Sequence, residues 1–104
     1  MSMSSCEISI AHTLSRDLAL RDVASSFMDR IEARNHTEVT IDFAGVETIT
    51  RSFAHEYLTR KARSSLIIRE VNVPNDVARM FKVIEHSERN PRFEGLRTSK
   101  AILL

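Results

Sequence analysis

Three short apolar segments recur along this chain, and each is followed by a stretch whose apolar residues return at three- and four-residue spacing. That alternation limits the fold more than any other feature. The segment "EISIAHTL" over 7–14 alternates as a strand does, with Ile8, Ile10 and His12 on one face. After a polar break, "SRD", the positions Leu20, Val23, Ala24, Phe27, Met28 and Ile31 form a helical stripe that ends near "ARNHTE", with Asn35 as its expected cap. "EVTIDF" over 38–43 is a second strand, rich in β-branched residues, with Val39, Ile41 and Phe43 to one side. A helix from Ser52 or Phe53 to about Arg63 follows, with Ala54, Tyr57 and Leu58 turned inward. "SLIIREV" over 65–71 opens on a nearly continuous apolar run, as central strands do. After "NVPND", Asn75 is the expected N-cap of a last helix with the stripe Val77, Met80, Phe81 and Ile84. "SERNPRFEG" reads as a loop, and "LRTSKAILL" over 96–104 as an edge strand, a docking segment or a frayed end.

Strand and helix in strict alternation predict an α/β layered domain: a small, mostly parallel sheet with right-handed crossovers and about three helices. The 104 residues fit one domain spanning 1–104, with a core over about 7–87 and a loop and tail over 88–104. If the strands are parallel, the turns 15–21, 44–52 and 72–75 share one edge of the sheet, where open α/β sheets commonly bind their partners. The turn 44–52 is the longest of the three.

Composition excludes several classes. A chain of this length with 42% hydrophobic residues builds one core and leaves little room for a deep cavity, which favours a binding or regulatory module over an elaborate enzyme. With 15 basic against 14 acidic residues there is no basic excess to grip nucleic acid. "RKAR" over 60–63 lies at a helix C-terminus, where cations complement the dipole. A single cysteine, Cys6, rules out an internal disulfide and suits a reducing compartment. With no signal-peptide pattern and no apolar run of about 20 residues, a soluble cytoplasmic protein without membrane contact is expected.

Catalytic and metal-binding patterns are sparse. Ser52, His55 and Glu56 supply the residue types of a hydrolytic triad, but neighbours on a helix point about 100° apart and cannot align in series. His12, His36, His55 and His86 are scattered, so no metal is expected, and two glycines are too few for a phosphate-cradling loop, so no cofactor is expected either. Asp42 is expected to accept backbone N–H groups of the following turn. Arg21, badly placed for a helix dipole, is expected to pair with Asp42 or Glu47. The alternative is an anion site formed by Arg16, Arg21 and Arg51, which would make the chain a small anion- or nucleotide-binding domain or enzyme.

The stretch "VTIDFAGVETITRSFAHEYL" resembles the central segment of STAS domains, found in anti-sigma factor antagonists and sulfate-transporter tails. It is closer to a small STAS-like family of unknown function, with its acidic "DF", its "GV" and an "SFA" that opens a helix. "LALRDVASSFMDRI" and "LIIREVNVPNDVARMFKVI" are similar to that family's first helix and to the STAS run of strand, turn and amphipathic helix. The resemblance covers roughly residues 7–87. In antagonist STAS domains the matching turn reads Asp-Ser-Ser-Gly, and a partner kinase phosphorylates a serine there. The resemblance puts Ser52 at that serine and Thr50 at the aspartate, with Arg51 replacing the other serine and Phe53 the glycine. It implies a non-enzymatic regulatory module whose partner is an ATP-binding, histidine-kinase-like regulator. The docking face would be the turn 44–52 and the following helix, with Ser52 as switch or phosphoacceptor and Thr50, Arg51, Glu47 and His55 around it. A third reading is an oligomerisation unit pairing through an exposed edge strand or the apolar tail.

Overall fold

A computed structural model describes residues 5–89. Within them lie a three-stranded sheet, a two-stranded pairing and four helices, in the chain order β1 (Ser5–Ser9), α1 (Ile10–Thr13), β2 (Asp17–Leu18), α2 (Arg21–Glu32), β3 (Glu38–Asp42), β4 (Thr48–Ile49), α3 (Arg51–Arg63), β5 (Ile67–Val71) and α4 (Asn75–Arg89). The main sheet has the order β1-β3-β5 and is parallel throughout, aligning Ile8 with Ile41 and Glu70, and Ser9 with Asp42 and Val71. The expected α/β layering is therefore present.

Alternation decides which face is inside. Val39, Ile41 and Phe43 are wholly buried, whereas Glu38, Thr40 and Asp42 between them are only partly so. The helices cover the first face. Ala24, Phe27, Met28 and Ile31 of α2, Phe53, Ala54 and Tyr57 of α3, and Val77, Phe81 and Ile84 of α4 complete one core with it. Phe43, Tyr57 and Phe81 tie strand to helices at ring separations of 5.6–6.1 Å, two of the contacts edge-on and the third stacked. Such pairs add about 0.5–1.5 kcal/mol beyond the area they bury.

Several expected boundaries move. The first strand stops at Ser9 instead of running to residue 14. Ser9 accepts a hydrogen bond from the His12 N–H at 3.3 Å, and the Leu14 N–H closes the turn on the Ile10 carbonyl at 2.9 Å. That local cap outcompetes continuation of the ladder and places His12 on a helical turn instead of a strand face. The polar break at 15–17 is not a plain turn, because Asp17 and Leu18 pair in parallel with Thr48 and Ile49. α2 closes at Ala33, whose N–H returns to the Asp29 carbonyl, so Asn35 lies beyond its cap. Among the described residues β5 is an edge strand and not a central one: of its apolar opening, Ile68 is buried while Ile67 is 52% exposed. Asn75 is the first residue of α4 and not its cap, since the Ala78 N–H already bonds the Pro74 carbonyl at 2.9 Å. Residues 87–89, expected in a loop, continue α4; the rest of that loop and the tail 96–104 lie outside the described residues.

Candidate functional site

All three strands of the main sheet end at one edge, and the segments leaving them meet there. Asp42, the last residue of β3, turns the chain. Its Oδ1 accepts the Ala44 N–H at 2.9 Å and the Asn72 side-chain amide at 3.0 Å, so it joins the ends of β3 and β5. These two bonds, the backbone one foremost, hold the Asp42 carboxyl below its usual range. The expectation that Asp42 serves the following turn holds. Gly45, at φ +90°, then reverses the chain through a conformation that side chains strain against.

From residue 47 the chain is clamped to the segment after β1. The Glu47 and Thr48 N–H groups bond the Arg16 carbonyl at 2.8 and 3.3 Å, and the Thr50 N–H bonds the Leu18 carbonyl at 2.9 Å. The Thr48 hydroxyl donates to Asp17 at 2.8 Å. Thr50 completes the clamp from both ends: its hydroxyl donates to the Ala19 carbonyl at 2.6 Å and accepts the Phe53 N–H at 3.2 Å. With extended dihedrals of −89° and 161°, Thr50 is the N-cap of α3. This corrects the expectation that the helix opens at Ser52 or Phe53: α3 begins at Arg51. A cap must be extended and one residue outside the helix, and the pairing with Leu18 holds Thr50 in that state.

Ser52 is consequently released from capping. It is exposed in the first turn of α3 beside the exposed Arg51, and among the described residues its hydroxyl makes no hydrogen bond. One turn on, half-buried His55 borders a groove of about 480 Å³ between α3 and α4 that is floored by Leu58, Ala62 and Ile84. Glu47 is exposed on the clamp and pairs with Arg16 at 3.5 Å. Both side chains are largely solvated, and such a pair contributes at most about 1 kcal/mol.

The three arginines of the alternative anion site stand on three separate segments at this edge. Arg16 is turned to Glu47, while Arg21 and Arg51 each open a helix, α2 and α3 respectively. Arg21 is exposed and pairs with neither of its expected partners, because Asp42 is occupied by Ala44 and Asn72, and Glu47 by Arg16. Among the described residues no cluster of three or more His, Cys, Asp or Glu side chains is arranged to hold a metal ion. Ser52, His55 and Glu56 fall on consecutive turns of α3 and form no relay.

Two cross-links behind this edge escape sequence reasoning. Arg60 reaches from α3 to Ser25, Asp29 and Glu32 of α2, with charged contacts at 2.6 and 3.0 Å. Glu70 on the inner face of β5 receives the Tyr57 hydroxyl at 2.5 Å and the Lys61 ammonium at 2.8 Å. Burial, reinforced by Glu70, pushes the Tyr57 hydroxyl well above its ordinary pKa of 10.0. Inspecting "RKAR" reveals the dipole role of a basic last turn but not these partners, which lie 9 to 35 residues away in the chain.

The segment holding α2, β3, the clamped turn and α3 is also the segment that can be matched elsewhere. Residues 23–65 match a family model described as a STAS-like domain of unknown function (DUF4325). The match begins two residues inside α2 and ends just past α3, so it contains Asp42, Gly45, Thr50 and Ser52 together. No curated protein and no solved structure matches the chain. Among the described residues no helix is long and apolar enough to cross a membrane.

Proposed function

We propose that this chain is a non-enzymatic, cytoplasmic regulatory module of STAS type. It docks a protein partner through the turn 44–52 and the exposed face of α3, and Ser52 is the switch. The observation that carries the reading is the division of labour between Thr50 and Ser52. Because Thr50 caps α3, the Ser52 hydroxyl has no structural duty and faces solvent on the site edge. A phosphate there would meet the positive end of the α3 dipole and the neighbouring Arg51, so modification would change the surface without unravelling the helix. The added charge is about −1.5 to −2, enough to alter which partner surface fits. The resemblance to antagonist STAS domains points to an ATP-binding, histidine-kinase-like regulator as that partner.

The test is affinity capture from native-host lysate with wild-type, Ser52→Ala and Ser52→Asp baits, followed by identification of captured ATP-binding proteins and by titration with the purified partner. Capture of such a regulator by wild type and Ser52→Ala, with at least about tenfold weaker binding by Ser52→Asp, is the expected result. Equal binding by all three baits removes the switch. Equal loss on substituting exposed residues of α4, with none on substituting Arg51 or His55, removes the docking face.

A further inference from the structure

We infer that the free edge of β5 is a self-association surface, on which two copies of the chain join antiparallel across a two-fold axis at Arg69. This inference is independent of the docking face proposed above. Its first support is hydrogen-bond direction. The Ile67 N–H bonds the Thr37 carbonyl, and the Val71 carbonyl accepts the Phe43 N–H, both at 3.0 Å. Residues 67, 69 and 71 therefore turn their backbone groups toward β3. By alternation, Ile68 and Glu70 turn theirs outward. Among the described residues β5 pairs with β3 alone, which leaves that outward row unmatched.

The second support is the side-chain row that accompanies it. On the outer face β5 presents Ile67, Arg69 and Val71, and Ile67 is 52% exposed. An antiparallel partner centred on Arg69 hydrogen-bonds Ile68 of one copy to Glu70 of the other, twice by symmetry. The same register sets the exposed Ile67 against the half-buried Val71 of the second copy, also twice, which gives Ile67 an apolar neighbour. Arg69 meets its own copy at the axis, normally a repulsive contact. Here each Arg69 carries its own counter-ion, Glu38, at 2.7 Å with a side chain only 16% exposed. The inward-pointing charge that usually guards an edge, Glu70, is already taken by Tyr57 and Lys61. The opposite edge does not offer the same match: the outer row of β1 is Ser5, Glu7 and Ser9, with no aliphatic residue to bury. The row on β5 is thus self-complementary in the sense a two-fold interface requires.

Sedimentation of the full chain over a range of concentrations tests this, alongside Ile67→Lys and two single-cysteine forms, Arg69→Cys and Glu7→Cys, each made in a Cys6→Ser background. Wild type is expected to shift reversibly from monomer to twice the monomer mass. Ile67→Lys is expected to dimerise at least about tenfold more weakly while keeping the wild-type melting temperature at dilutions where both are monomeric, since Ile67 lies outside the core. Mild oxidation should couple Arg69→Cys into a reducible dimer, because a non-hydrogen-bonded antiparallel pair brings facing Cβ atoms within disulfide reach. Glu7→Cys should not couple. A wild type that stays monomeric at every concentration, a dimer indifferent to Ile67→Lys, or coupling through Glu7→Cys in place of Arg69→Cys overturns the inference.

Discussion

Replacing Thr50 with alanine removes two bonds at once, and the structure allows the loss to be estimated. The first is the N-cap bond from the Phe53 N–H, 3.2 Å long, whose loss typically costs about 1 kcal/mol. The second is the hydroxyl bond to the Ala19 carbonyl at 2.6 Å, a neutral bond worth about 0.5–1.5 kcal/mol net. Thr50 is exposed, so water partly replaces both, and the combined loss should be about 1.5–2 kcal/mol. For a domain of this size that lowers the melting temperature by roughly 10 °C. Thr50→Ser, which keeps the hydroxyl, should recover most of the loss. Ser52→Ala should stay within about 0.5 kcal/mol of wild type, as surface substitutions away from special features do. Urea unfolding followed by far-ultraviolet circular dichroism gives all three values on one scale. A Ser52→Ala loss equal to that of Thr50→Ala would refute the assignment of the cap, and with it the claim that Ser52 has no structural duty.

Two further outcomes follow from the same structure. Gly45→Ala should destabilise by about 1–2 kcal/mol in urea unfolding. The cause is the backbone at φ +90° and not crowding, because a Cβ there meets Ala11 only at an ordinary 3.6 Å; a stabilised variant would contradict it. Tyr57→Phe should cost about 1.5–3 kcal/mol at neutral pH, since it removes a buried bond to a carboxylate. Its pH dependence has a definite sign. The Tyr57 pKa is raised in the folded state, so this stability is fully present below about pH 10, where the unfolded tyrosine ionises, and is lost as pH rises beyond it. Tyr57 is the only tyrosine in the chain, so its phenolate absorbance reports the event directly, and Tyr57→Phe should flatten the alkaline decline in melting temperature.

The sequence and the structure agree where residues repeat and part where they do not. Val39, Ile41 and Phe43, and the stripe Val77, Phe81 and Ile84, bury as their spacing demands, because period alone selects the face. The pairing of Asp17–Leu18 with Thr48–Ile49 could not be read beforehand, since two residues carry no period and the partner is 31 positions away. The start of α3 at Arg51, with Thr50 as its cap, is hidden for the same reason. Thr50 and Ser52 are both good caps by type, and only the bond from Thr50 to Leu18 selects between them. Asp42 was legible because its N–H donor lies two residues on. Its second partner, Asn72, was not, because that contact needs β3 and β5 already side by side.

The strand order β1-β3-β5 has a consequence for how the chain is made. Within the main sheet each new strand lies against the main-sheet strand made before it, so that sheet grows in a single direction as the polypeptide leaves the ribosome, N-terminal segments first. In that sheet no early strand waits for a late one to be inserted between it and its neighbour. A nascent chain that has emerged through β3 already holds a paired strand, and the edge it offers is the one that β5 will occupy. The clamp between residues 16–19 and 47–50 uses no residue beyond Phe53, so the platform beneath Ser52 does not wait for β5 or α4.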